Sequence, residues 1–151
     1  MYQYFHGLVI REGTTGVPAN EVKCLFEEVG WVRDVPEWQL EKFSLIMENA
    51  TWAFTVWDQQ RMVGMVRIIS DKMMMATISD LIVSEDYRGR GIAKKLIELS
   101  MAKLPHGDWF AHTSRDVFPF YEKCGLHLLD GKTQGTLAYY GYREAKKQGH
   151  R

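Results

Sequence analysis

Hydrophobic residues change their spacing several times along the chain, and each change marks an expected element. Phe5 to Arg11 reads as a short strand, closed by Glu12-Gly13-Thr14-Thr15-Gly16 and Pro18. A helix follows, capped by Asn20, with Val22, Leu25, Phe26 and Val29 at helical spacing until Gly30 stops it. Pro36 suits the first turn of a second helix whose apolar stripe is Leu40, Phe43, Ile46 and Met47, ending near Asn49. From Thr51 the period falls to that of a strand. Thr51 to Trp57 and Met62 to Ile69 form an expected antiparallel hairpin about Asp58-Gln59-Gln60-Arg61. Met75 to Val83, beyond the polar break at Ser70-Asp71-Lys72, has the β-branched and apolar content of a central strand.

The second half alternates helix and strand. Ile92 to Leu104 carries Ile92, Leu96, Ile97 and Met101 on one helical face and ends at Pro105-His106-Gly107. Trp109 to Thr113 is a strand, Phe118 to Lys123 a short helix stopped by Gly125. Leu126 to Leu129 and Thr136 to Tyr142 read as two closing strands. The order predicts an α+β fold, a mixed and mostly antiparallel sheet flanked by helices. Without repeats, low-complexity tracts or a linker, residues 1–144 read as one domain and 145–151 as a basic tail expected to fray.

Composition narrows the function classes. With 46% hydrophobic and 25% charged residues, a chain of 151 residues is expected to fold around a core without staples. The 19 basic and 19 acidic residues leave no global field for nucleic acid or an anionic membrane, and neither partner is expected. No apolar run approaches the roughly 20 residues of a membrane span. No secretory leader pattern opens the chain, so cytoplasmic residence is expected. Cys24 and Cys124 form no CxxC pair or disulfide framework and read as plain thiols. His6, His106, His127 and His150 lack ligand spacing, so no metal is expected.

Chemistry concentrates in Asp80 to Ala93, a predicted strand delivered through an Arg-Gly-Arg-Gly turn into a helix. Unpaired N–H groups and the positive dipole end at a helix start favour a phosphate, and glycine lets it approach the main chain. Arg88 and Arg90 add two guanidinium groups suited to a diphosphate. A dinucleotide fingerprint fails because Lys94 stands where its third glycine would. A Walker loop ending at Gly131-Lys132-Thr133 fails because Leu126 stands at its first glycine.

The spacing of Arg88, Gly91 and Ala93 resembles the Arg/Gln-x-x-Gly-x-Gly/Ala loop of the GCN5-related N-acetyltransferase family. Downstream, Phe120-Tyr121-Glu122-Lys123-Cys124-Gly125-Leu126 is similar to that family's Phe-Tyr-x-x-x-Gly-Phe segment, with Leu126 in place of the aromatic. The order of elements resembles the family over nearly the whole chain. The resemblance implies acetyl-CoA as cosubstrate, held by Leu81, Ile82 and Val83 along the pantetheine arm. It also implies that amides of Arg88, Gly89, Arg90, Gly91, Ile92 and Ala93 hold the pyrophosphate, with Tyr121 facing the sulfur. Where many members carry an asparagine seven residues before that tyrosine to hold the pantetheine, this chain has Ser114, so a shorter polar contact or a water must replace it.

Acetyl transfer to an amine needs a proton acceptor, an oxyanion donor and an acid for the leaving thiolate. Asp80 is the candidate base, in step with Ile82 and opposite in facing to Leu81 and Val83; pairing with Arg67 would make it structural instead. His112 is the alternative base, and Tyr121 the candidate acid. By resemblance, Trp31 and Arg67 to Asp71 are candidates for the acceptor site. The expected activity is direct transfer of acetyl to a primary amine of a small molecule, with a homodimer as a further expectation from the family. A regulatory acyl-CoA-binding domain without turnover, and a protein lysine or N-terminal acetyltransferase, are the alternatives.

Overall fold

A computed structural model describes residues 1–33 and 35–149. Its frame is one sheet of six strands in sequential order, β1 (Tyr2–Phe5), β2 (Leu8–Glu12), β3 (Trp52–Asp58), β4 (Arg61–Ser70), β5 (Met75–Val83) and β6 (Asp108–Ala111). Neighbours are antiparallel except β5 and β6, which run parallel because a helical crossover joins them. The helices are α1 (Ala19–Glu28), α2 (Glu37–Leu40), α3 (Leu45–Glu48), α4 (Ile92–Met101), α5 (Phe118–Lys123) and α6 (Gly141–Lys147). The mixed sheet flanked by helices is the fold class the sequence predicts.

Both faces of the sheet are covered. On one, Ile92, Leu96 and Ile97 of α4 are buried against Leu8, Ile10, Phe54, Val56, Val66 and Ile68. On the other, Val22, Leu25 and Phe26 of α1 and Met47 of α3 meet Ala53, Met62, Met65 and Ile82. Burying both faces is what gives β3 and β4 their near-continuous apolar runs.

Several expectations need correction. The single first strand is a hairpin: His6 and Gly7 both adopt left-handed backbone (φ 49° and 79°), the geometry of a two-residue turn that pairs Phe5 with Leu8. Helix α1 starts at Ala19 after Pro18, ahead of the expected cap Asn20. The second helix divides into α2 and α3, because Lys42, Phe43, Leu45 and Ile46 donate to carbonyls three residues back, tightening the chain into turns. The closing strands at 126–129 and 136–142 are absent among the described residues. Gly131 and Gly135 interrupt the segment, Asp130 turns it by accepting from Lys132 N at 2.9 Å, and Leu137 is fully exposed with no sheet to pack on. Residues 145–147 of the expected tail are helical, since Arg143-Glu144-Ala145-Lys146-Lys147 is a run of strong helix formers with lysines at the dipole's negative end. His150 and Arg151 of that tail lie outside the described residues.

Candidate active site

β5 and β6 pair from Met75↔Asp108 to Ile78↔Ala111; from Ser79 onward β5 has no strand partner on that side among the described residues. A bulge at the same level of β5 shifts its register against β4, so that Arg67 faces Asp80 while Ile68 faces Ile78. The bulge exchanges the faces. Ile78 belongs to the core under α4, whereas Ile82 is buried under α1. Ser84 N donates to Val63 O on β4 at 2.8 Å, so strand alternation turns the backbone groups of Leu81 and Val83 toward the open edge. Ile82, expected beside them, turns its backbone to β4 and its side chain into the core.

The open strand leads into a loop tied down from three sides. Ser84 Oγ donates to Glu28 Oε1 at 3.0 Å and accepts from Arg61 Nη2 at 3.1 Å, and Glu85 N donates to Glu28 Oε2 at 3.0 Å. After one 3-10 turn (Glu85–Tyr87), Tyr87 OH donates to Asp58 Oδ2 at 2.5 Å. Gly89 and Gly91 follow in left-handed conformation (φ 77° and 79°), and Gly91 caps α4 without any side-chain cap, leaving the first amides of α4 outward. A cavity of about 370 Å³ opens there, lined by Val83, Tyr87, Arg88, Gly89, Gly91, Ile92, Ala93, Lys94 and Phe120. This gathers most of the expected phosphate-binding residues around one space, with the close main-chain approach and the positive end of a helix that a pyrophosphate needs. Arg90 stands apart from it, its guanidinium 4.9 Å over the Tyr87 ring and donating to Asp86 O at 3.0 Å.

Asp80 is buried, 8% exposed, and accepts from Arg67 Nε at 2.5 Å. Arg67 also donates to Ile46 O in α3 at 3.5 Å, fixing the pair between sheet and helix. Burial raises the Asp80 carboxyl above its ordinary value, and the charge and hydrogen bond of Arg67 pull it back. Tyr121 lies on α5, its ring edge-on to Phe120 with centroids 5.2 Å apart. Its hydroxyl is pushed up to about 12, by burial first and then by Cys124 and by the charge of Asp80. The two candidate catalytic groups therefore lie within electrostatic reach of each other.

His112 follows the last β6 residue paired with β5, and its Nε2 lies 3.5 Å from Tyr140 OH. Ser114 is exposed and opens a 3-10 turn (Arg115–Val117) away from the loop cavity. Trp31 is half-exposed, edge-on to Phe26 at 5.8 Å, beside α1. Among the described residues no three His, Cys, Asp or Glu side chains cluster as a metal site requires, and no helix is long and apolar enough to cross a membrane. Sequence reasoning passed over Tyr87 and Lys94 as cavity walls, although both lie beside the motif; their direction depends on backbone angles that the motif's spacing does not encode.

The model of the acetyltransferase (GNAT) domain matches residues 21–135, and this chain belongs to that family. Histone acetyltransferase TAP1 of Glycine max is 28% identical over 137 residues, covering 82% of this chain and 58% of the soybean protein, so the chain spans little more than half of that relative. The N-acetyltransferase ycf52 of Pyropia yezoensis is 29% identical over 128 residues, 79% of this chain and 70% of that protein. Glucosamine-6-phosphate N-acetyltransferase of Arabidopsis thaliana shares the fold, with a TM-score of 0.65 at 16% identity over 88% of this chain and 97% of that one.

Proposed function

We propose that this chain uses acetyl-CoA to acetylate a primary amine of a small molecule, by direct transfer in a ternary complex. The observation that supports this most is the glycine loop between β5 and α4, where Gly89 and Gly91 in left-handed backbone border a cavity lined by Val83, Arg88 and Ala93 at the positive end of the helix. The cosubstrate supplies a thioester whose acetyl carbon is open to an amine. Leu81 and Val83 offer backbone groups along the free edge, and one N–H there would polarise the thioester carbonyl. Asp80 takes the proton of the incoming amine, directly or through water. Tyr121, protonated across the working pH range, donates a hydrogen bond to the departing sulfur. With its hydroxyl near 12 and a thiol near 8.5, complete proton transfer is uphill, so solvent finishes that step. The acetyl-CoA requirement and the two free thiols suit a reducing compartment such as the cytoplasm.

Release of free coenzyme A, followed with purified chain, acetyl-CoA and a panel of amines, tests the reading. Saturable release with a polyamine or amino sugar is expected. Binding of acetyl-CoA without release by any amine would favour a regulatory domain. The soybean relative's name favours a second reading, a protein acceptor, which release with lysine-bearing peptides alone would support.

The Arg67–Asp80 pair gives the activity a defined pH response. Because the Asp80 pKa is raised, turnover is expected to fall on acidification at a pH above the ordinary carboxylate range. Arg67→Met removes the charge and the hydrogen bond that pull that pKa down, so the acid limb should move further upward. The same change leaves a buried carboxylate unpaired, which costs roughly 3–5 kcal/mol of stability at neutral pH and less as Asp80 protonates on acidification. Asp80→Asn should abolish the acid limb and be partly rescued at high pH, where more amine is neutral. An unchanged pH–rate profile in both variants would move the base to His112 or to water.

A further inference from the structure

A second cavity, of about 700 Å³, runs along β6, and every residue from Asp108 to Ala111 stands in its wall. Its volume falls in the range of small-molecule sites, roughly 300–1,000 Å³. It meets the candidate reaction centre at Tyr121, which lines it from α5. Phe110, Phe118 and Leu128 give it apolar walls, and Phe110 and Leu128 remain 45% and 58% exposed. Its charged side chains are the carboxylates of Asp108 and Glu122. Besides the imidazoles of His112 and His127, no basic side chain among the described residues lines it.

An apolar wall that carries carboxylates and no lysine or arginine suits a cation with a hydrocarbon body, and it repels an acceptor bearing phosphate or carboxylate. The reacting nitrogen has to be neutral when it attacks, and a carboxylate beside it, other than the base, holds the proton on. The wall carboxylates are therefore placed for a second ammonium, one that does not react. Asp108 opens β6, whereas pairing with β5 ends at Ala111. At about 3.3 Å per strand residue, Asp108 stands about 10 Å back from the point where the strands part. Phe110 lies between them on the same face of β6 as Asp108. We infer that the acceptor is an aliphatic diamine or polyamine, with its distal ammonium at Asp108 and its methylene chain across Phe110. The inference rests on the acetyl-transfer reading of the site and narrows its acceptor.

Release of coenzyme A from acetyl-CoA by terminal diamines, from propanediamine to octanediamine, against monoamines of equal length tests it in the full chain. At low salt, octanediamine is expected to exceed octylamine in kcat/KM about fivefold, while propanediamine, too short to reach Asp108, matches propylamine. Asp108→Asn should erase the octanediamine advantage and leave octylamine within about twofold, with unchanged acetyl-CoA affinity showing that the variant folds. Phe110→Ala should slow octanediamine and octylamine alike, since both lay methylenes across the ring. Wild type that uses octylamine as well as octanediamine, or an advantage that survives Asp108→Asn, overturns the inference and leaves acetyl transfer standing. So does release with lysine-bearing peptides alone, or faster turnover of octanoyl-CoA than of acetyl-CoA, which would give the cavity to the acyl chain. No release by any amine overturns the acetyl-transfer reading itself, and this inference with it.

Discussion

Gly91→Glu is expected to abolish acetyl-CoA binding in a chain that still folds. A Cβ at Gly91 would meet nothing closer than Phe5 Cζ at 3.9 Å, so packing does not forbid the side chain. Two other effects do the damage. The left-handed backbone at φ 79° costs a side-chain-bearing residue roughly 1–2 kcal/mol, and the carboxylate places a negative charge where outward amides would receive a phosphate. The measurement is thermal stability with and without acetyl-CoA. Wild type should gain stability with ligand, because only the folded state binds it. The variant should melt somewhat lower and gain nothing. Gly89→Ala supplies the control: it carries the same backbone strain (φ 77°) with open space and no added charge, so it should retain most of the ligand response. A full acetyl-CoA response in folded Gly91→Glu would remove the turn from the cofactor site.

Tyr121→Phe is expected to cut turnover roughly 10²–10³-fold, the usual loss for one donor aimed at developing charge. The ring still packs against Phe120 and the core under α4, so stability and acetyl-CoA affinity should change little. The shape of the pH profile checks the assignment further. A hydroxyl pushed up to about 12 stays protonated well above neutral pH, so a loss of activity between pH 8 and 10 is expected to come from another group. Single-turnover rates and binding on the same variant separate the cases. A slow step with intact affinity marks a hydrogen bond to the departing sulfur; loss of both marks a contact to the bound cosubstrate. Full chemistry at saturating substrate would take Tyr121 out of the reaction.

The parts of the site that were legible in the sequence are those built from neighbours in the chain. Strand, turn and helix from Asp80 to Ala93 are continuous, so glycine spacing and helix dipole could be read without knowing what packs on them. The short helix Phe118–Lys123 was equally local, with Pro119 in its first turn and a glycine just past its end. What escaped depended on distant partners. The bulge that sets Asp80 on the α1 side of the sheet is a mismatch between β4 and β5, and no property of Ser79 announces it. The His6-Gly7 hairpin escaped because histidine is not among the residues that usually signal such a turn. The alternation at 136–142 was real, but alternation becomes a strand only when another strand completes its ladder. Arg67 shows the intermediate case. Its pairing with Asp80 could be weighed from the sequence as a rival to catalysis, and the structure shows that pairing, with the arginine as the group that pulls the raised carboxyl pKa back down.

The loop between β5 and α4 is moored to α1 through Glu28, to the end of β3 through Asp58, and to the start of β4 through Arg61. These contacts restrict the loop's conformational freedom while the chain folds, so little entropy remains to be lost when a ligand arrives. Association should then run in a single fast phase without a slow rearrangement. Severing one mooring, as in Asp58→Ala or Tyr87→Phe, would show itself mainly as a slower or multiphasic approach to the same bound state.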